Sequence, residues 1–177
     1  KMTCMKIEIL GCYGNRIGDY RSTAFLVNDS LLLDAGTVTE VLDEKRLALI
    51  EEVVISHPHI DHVKGLFPLI DELAIMKRRG IRLSSIGQVI EIISANLLNN
   101  LIWPDFTVIP SPENPMVKFH VLEPEKESAL KGIVVKPIPV SHTVCTAGYV
   151  IREDDRGFMF TADTGPTERF WTLAKEE

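Results

Sequence analysis

The run Val53-Val54-Ile55-Ser56-His57-Pro58-His59-Ile60-Asp61-His62 decides how the rest of the chain is read. Its apolar opening has the pattern of a buried strand leaving a sheet. Pro58 disfavours helical geometry at His57, which puts His57 and His59 on an extended loop at the end of that strand. Two imidazoles placed there can converge on one ion. Asp61 and His62 are adjacent, so their side chains are expected to diverge, to serve that same ion poorly and to suit a second metal close by. From Val63 the pattern turns helical, and Gly65 lets the helix come near the loop. A lone histidine is usually just a hydrogen-bonded polar residue, but four potential ligands within positions 57–62 exceed what a surface loop needs. The spacing predicts a two-metal hydrolytic centre, in which ions roughly 3.5–4 Å apart clamp an attacking and a leaving oxygen.

Two further strand ends carry residues of the same kind. Residues 133–140 read as a strand running into Ser141-His142-Thr143, and residues 158–161 as one running into Ala162-Asp163-Thr164-Gly165-Pro166. Beside the histidines, Asp163 is placed to bridge two metals. His120 alternates with apolar neighbours in a strand over 117–122 and is not read as a ligand. Upstream, residues 6–10 form a strand entering a turn at Gly11-Cys12-Tyr13-Gly14, and residues 22–27 and 31–33 form a hairpin that ends in Asp34-Ala35-Gly36. Asp34 has two readings, a turn former or a hydrogen-bond partner orienting a ligand imidazole. Helices are expected over 37–50 with Thr39 as cap, over 63–79, from Ser84 or Ser85 to 99, and over 167–175. Lys77-Arg78-Arg79 then reads as a solvated last helical turn, favoured by the macrodipole. Trp103 and Phe106 read as core residues of a side wall.

Bulk composition narrows the class. A length of 177 residues with 45% hydrophobic and 25% charged residues suits one globular domain large enough to bury a core. A net charge of −6 argues against a general polyanion-binding surface, although bound cations would make a pocket locally positive. Cys4, Cys12 and Cys145 form no paired framework and no CxxC motif, which fits a reducing compartment. Cys12 and Cys145 read as small buried apolar residues. No apolar run reaches membrane-spanning length and no signal-peptide pattern is present, so a cytoplasmic protein without a membrane partner is expected.

A loop of the form His-x-His-x-Asp-His, then a strand-end His and a strand-end Asp, resembles the metallo-β-lactamase superfamily; here these are His57, His59, Asp61, His62, His142 and Asp163. Ile102-Trp103-Pro104-Asp105-Phe106, Val140-Ser141-His142-Thr143 with Thr146-Ala147-Gly148-Tyr149, and Ala162-Asp163-Thr164-Gly165-Pro166 are similar to its bacterial cyclic-nucleotide phosphodiesterase branch. The resemblance implies an αββα four-layer sandwich, two mixed β-sheets between helices, with the site at one sheet edge. It also implies that His57, His59 and His142 hold one metal, that Asp61 and His62 hold the other, and that Asp163 bridges them. The family adds one more histidine to the second metal after the last helix. On this likeness residues 1–177 are a single domain truncated at its C-terminus, with that histidine and part of the second sheet beyond Glu177.

The implied reaction is hydrolysis of a phosphodiester, foremost a 3',5'-cyclic nucleotide, by a hydroxide held between two divalent ions, which bring the pKa of water from about 15.7 to roughly 7. The ions also polarise the phosphoryl oxygens, and Asp61 can hold the proton of the hydroxide. Nitrogen and carboxylate ligands without thiolate suit zinc, with manganese or iron as alternatives. The expected partner is a small phosphodiester rather than nucleic acid, and a homo-oligomer is left open. Three readings compete. An RNA-processing phosphodiesterase of the same superfamily needs a basic exosite for the phosphate backbone. Thioester or β-lactam hydrolysis would use similar ligands. A non-catalytic metal- or ligand-binding module would have an incomplete second site.

Overall fold

Short apolar runs separated by turn residues become ten strands. The computed structural model describes residues 5–15 and 17–175, which leaves Cys4 outside the described residues. Six strands form one sheet in the order β1 (Ile7–Gly11), β2 (Ala24–Val27), β3 (Leu31–Leu33), β4 (Glu52–Val54), β5 (Ile81–Ser85) and β6 (Val117–Val121). The β1–β2 and β2–β3 pairs are antiparallel, and β3 to β6 run parallel. The other sheet has the order β10 (Arg156–Phe160), β9 (Thr146–Glu153), β8 (Ile133–Val140) and β7 (Ser128–Leu130). It is antiparallel throughout rather than mixed, because each of its connections is a short hairpin.

The sheets face each other, and helices cover their outer sides. Leu31, Leu32, Leu33, Val53, Val54 and Ile55 are all buried, so these strands are covered on both faces, as strands read as continuous apolar runs must be. Tyr149 of β9 crosses the interior and donates its hydroxyl hydrogen to the Ile55 carbonyl at 2.8 Å. The helices are α1 (Glu44–Leu47), α2 (Ile60–Val63), α3 (Leu66–Ile75), α4 (Gly87–Asn96) and α5 (Glu168–Lys175). On the outer side α4 lies against β5 and β6, and α5 lies against β8 with Phe170 packed between Ile138 and Val150. This is the αββα arrangement. No helix among the described residues is long and apolar enough to cross a membrane.

Local structure departs from the sequence pattern in several places. Residues 37–50 are mostly turns, and only α1 is helical, capped by Asp43, whose side chain accepts from the Arg46 N–H. Thr39 does not cap it. Thr37 instead accepts a hydrogen bond from the Ser22 N–H, tying this segment to the loop before β2. The single helix expected over 63–79 is broken at Gly65 into α2 and α3, where the Gly65 N–H donates to the Ala35 carbonyl at 2.7 Å instead of to a carbonyl of its own helix. α3 ends at Ile75 and Lys77 has a φ of 52°, so Lys77-Arg78-Arg79 follows the helix instead of forming its last turn. Ser84 and Ser85 lie inside β5, and α4 starts from Ile86 without a side-chain cap. Strand β7 had no expectation attached to it. Phe106 is buried and Trp103 packs on Phe67 at 5.4 Å, both core roles.

Candidate metal centre

The site gathers at the ends of β4, β8 and β10. Ser56 and His57 leave β4, and the Ser56 carbonyl accepts from the Ala147 N–H at 3.0 Å, which fixes the loop to the facing sheet. His59 precedes α2, which carries Asp61 and His62. His142 follows β8 and Asp163 follows β10. These two loops are tied by the Gly165 N–H donating to the Ser141 carbonyl at 2.7 Å. Ala162 has a φ of 55°, a conformation that L-residues rarely adopt, and it turns the chain so that Asp163 meets the histidines.

Two triads result. His57, His59 and His142 bring one ligand atom each within 4.8 Å of one another, and so do His57, His62 and Asp163. Within the first, His59 Nδ1 lies 3.1 Å from His57 Nε2 and 3.2 Å from His142 Nε2. Within the second, His62 Nε2 lies 3.6 Å from Asp163 Oδ1. Asp61 belongs to neither triad, but its Oδ2 also lies 3.6 Å from His62 Nε2. Asp61 and His62 therefore approach each other at their tips, where adjacency in sequence suggested divergence. His120 stays in β6 with Nδ1 at 3.1 Å from Ser84 Oγ, outside both triads. Cys12 and Cys145 are exposed rather than buried, and neither joins a ligand group among the described residues.

Asp34 organises the ring nitrogens. It is fully buried with a φ of 56°, so its carboxylate is aimed inward from a backbone conformation that few L-residues tolerate. Its Oδ1 accepts from the Ser56 N–H and its Oδ2 from Ser56 Oγ, both at 2.7 Å, and Oδ2 also lies 2.7 Å from His62 Nδ1. Because the one hydroxyl hydrogen of Ser56 goes to Asp34, the oxygen is left to accept from His57 Nδ1–H at 2.9 Å. Both His57 and His62 are thereby held with the proton on Nδ1 and the lone pair of Nε2 facing the triads. Ser56 was not singled out in the sequence. Its position before His57 was the available signal, but only the fold shows that its hydroxyl reaches Asp34.

Burial dominates the titration of these groups. It holds His57 down to about 3, with neighbouring His62, His59 and His142 acting in the same direction. Burial also opposes charge on His62, yet the Asp34 hydrogen bond and charge, with Asp61 and Asp163, raise it overall. Burial pushes Asp34 up, against the bonds from His62 and Ser56. Three donors on one carboxylate favour its ionised form, so the shared proton belongs on His62 Nδ1. One atom is left over. His62 Nε2 is buried and has no hydrogen-bond partner among the described residues. A buried acceptor without a donor is costly, and a cation between the Nε2 atoms and the carboxylates would satisfy it. The donor set is imidazole and carboxylate without thiolate, suited to a divalent ion of the zinc type.

Residues 30–176 match the model of the beta-lactamase superfamily domain. The chain belongs to this superfamily. Among curated relatives, ribonuclease Z of Saccharolobus solfataricus is 28% identical over 139 residues, which is 75% of this chain and 43% of that protein. Among solved structures, unliganded yeast PDE1 matches with a TM-score of 0.79 at 17% identity, over 99% of this superfamily member and 72% of that chain. The metallo-beta-lactamase fold protein YhfI of Bacillus subtilis matches with a TM-score of 0.72 at 17% identity, over 93% of this chain and 64% of that one. These structural likenesses concern the fold. The chain spans about half the length of the curated relatives it matches.

Proposed function

We propose that this superfamily member supplies the metal-binding core of a phosphodiesterase, with a 3',5'-cyclic nucleotide as its foremost substrate. The observation that carries the reading is the pair of ligand triads sharing His57, assembled from three separate strand ends. Two divalent ions bound there would supply Lewis acidity and lower the pKa of a bound water from 15.7 to about 7. His57, His59 and His142 would hold one ion; His62, Asp61 and Asp163 would hold the other.

The residues have distinct tasks. Asp34 and Ser56 keep His57 and His62 in the tautomer that offers Nε2, so no rearrangement is needed when substrate arrives. Asp61, partly exposed at the rim, can accept a proton from the attacking water and orient it. Asp163, half-exposed with His142, Ala162, Thr164 and Gly165, lines an open depression of about 460 Å³ in which a phosphodiester can reach the ligand atoms. No nucleophilic side chain is required. A second reading, cleavage of RNA, is favoured by the curated relatives, which are named as ribonucleases.

The deciding experiment compares cyclic mononucleotides, bis(p-nitrophenyl) phosphate and a precursor RNA with the zinc- or manganese-loaded protein. Turnover of the small diesters, abolished in His59→Ala together with metal content, supports the proposal. Cleavage of RNA alone moves the assignment to the second reading. Two bound ions without diester hydrolysis refute both.

A further inference from the structure

A second hollow lies at the opposite end of the strands from the metal loop. It has a volume of about 540 Å³, and its lining includes Glu51, Glu52, Arg79, Arg82, Lys118 and Lys131. Glu52, Arg82 and Lys118 stand side by side in register across β4, β5 and β6, one residue from the start of β5 and β6. The chain as a whole has a net charge of −6, yet this hollow is lined by four cations and two carboxylates.

Both carboxylates are already engaged. Glu51 pairs with Lys131, and Glu52 pairs with Arg82 Nε at 2.5 Å while also accepting from Ser84 Oγ. Arg79 and Lys118 form no ion pair among the described residues, and neither do the two terminal nitrogens of Arg82 form a hydrogen bond. The Glu52 side chain is buried, so it holds the Arg82 guanidinium by its Nε and leaves the two terminal nitrogens of the half-exposed side chain without a partner in the pair. A guanidinium anchored in this way loses little freedom when it grips an oxyanion in a bidentate manner. At one wall the Ile81 N–H donates to the Met116 carbonyl at 2.8 Å, and Gly80 passes so close to Met116 that a Cβ would lie 2.4 Å from its oxygen.

We propose that this cavity binds a small phosphorylated molecule carrying at least two negative charges. Arg82 grips one phosphoryl group with its outer nitrogens, while Arg79 and Lys118 neutralise the remainder. The volume falls in the range of small-molecule sites, and the cations line a hollow at the strand ends away from the metal loop, which favours a compact anion over a nucleic-acid backbone running to that loop.

The test is a titration of the full ¹⁵N-labelled chain with pyrophosphate, followed by amide shifts and calorimetry. Shifts are expected at Gly80, Arg82, Lys118 and Lys131, and the double variant Arg79→Gln/Lys118→Gln should weaken binding about tenfold or more, as loss of charge-assisted bonds does. Both side chains are exposed, and an unchanged thermal melt will show that the variant folds. Any second event at the metal centre is recognised by shifts at His57 to His62, which the double variant leaves in place. Shifts confined to those metal-loop amides, or an unchanged affinity in the double variant, overturn the proposal. So does a single-stranded RNA that occupies the cavity and is not displaced by saturating pyrophosphate, which would make it a polyanion surface.

Discussion

Ser56→Ala isolates the hydroxyl that links Asp34 to His57. In the wild type the Ser56 Oγ–H donates to Asp34 at 2.7 Å and the oxygen accepts from His57 Nδ1 at 2.9 Å, in a place closed to water. Alanine keeps the backbone N–H bond to Asp34 Oδ1 and the His62 bond to Oδ2, so the carboxylate stays in place. What is lost is one hydroxyl bond and the partner of a buried ring N–H, which together cost about 1–3 kcal/mol. For a chain of this length each kcal/mol shifts Tm by about 2–4 °C, so the metal-free melt should fall by roughly 2–12 °C. Freed of its partner, His57 can turn or change tautomer, and metal affinity should drop about 10–100-fold, as it does when the outer partner of a ligand imidazole is removed. Competition of zinc against a chromophoric chelator measures this directly. Asp34→Asn, which alters the bonds to both Ser56 and His62, should do more harm, and the double variant should be less than additive, with a coupling of about 0.5–3 kcal/mol. Zinc affinity that stays within about threefold of wild type in Ser56→Ala, outside the range expected for such a partner, would refute the relay.

Three other outcomes follow from the same geometry. His57 is held down to about 3 while the unfolded chain titrates near 6.5, so between these values only the unfolded state takes up its proton, and metal-free stability should fall as the pH drops through that window; urea melts of His57→Gln should show a flatter pH profile there. Gly36→Ala places a Cβ 2.1 Å from the Asp61 carbonyl oxygen and 2.7 Å from Ser22 and Thr23, so the metal loop must move; a stability loss of ~1–3 kcal/mol or more with weakened metal binding is expected from calorimetry and chelator competition. Tyr149→Phe removes the donor to the Ile55 carbonyl, but Ser85 Oγ still donates to that oxygen at 2.6 Å. Its cost should therefore stay near 0.5–1.5 kcal/mol by denaturant melts, about that of one net hydrogen bond.

Much of the architecture was legible because the signals were short-range. The apolar runs at 31–33 and 53–55 are buried on both faces, and the strands read at 133–140 and 158–161 correspond to β8 and β10 of the second sheet. Helical periodicity misled where side chains or the backbone were needed elsewhere. The Ser22 N–H donates to Thr37, the Gly65 N–H donates to the Ala35 carbonyl, and Ser84 serves Glu52 and His120 inside a strand, so the helices expected over these positions start late or break there, while Gly65 does allow the close approach read from it. The basic run 77–79 looked like an ordinary helix end, but the chain turns at Lys77 and delivers Arg79 to a cavity shared with residues from four strands.

The sequence by itself determined which atoms are available for chemistry: histidines and carboxylates at 57–62, 142 and 163, each following an apolar run that must end at a sheet edge. Their residue types alone select a borderline metal and a neutral imidazole. Only tertiary structure decided that His57 is common to both triads, that Asp61 meets His62 at its tip, and that one carboxylate, Asp34, sets the tautomer of two rings. Distances of a few ångströms between residues over a hundred positions apart arise from how the two sheets pack, and no local pattern along the chain encodes them.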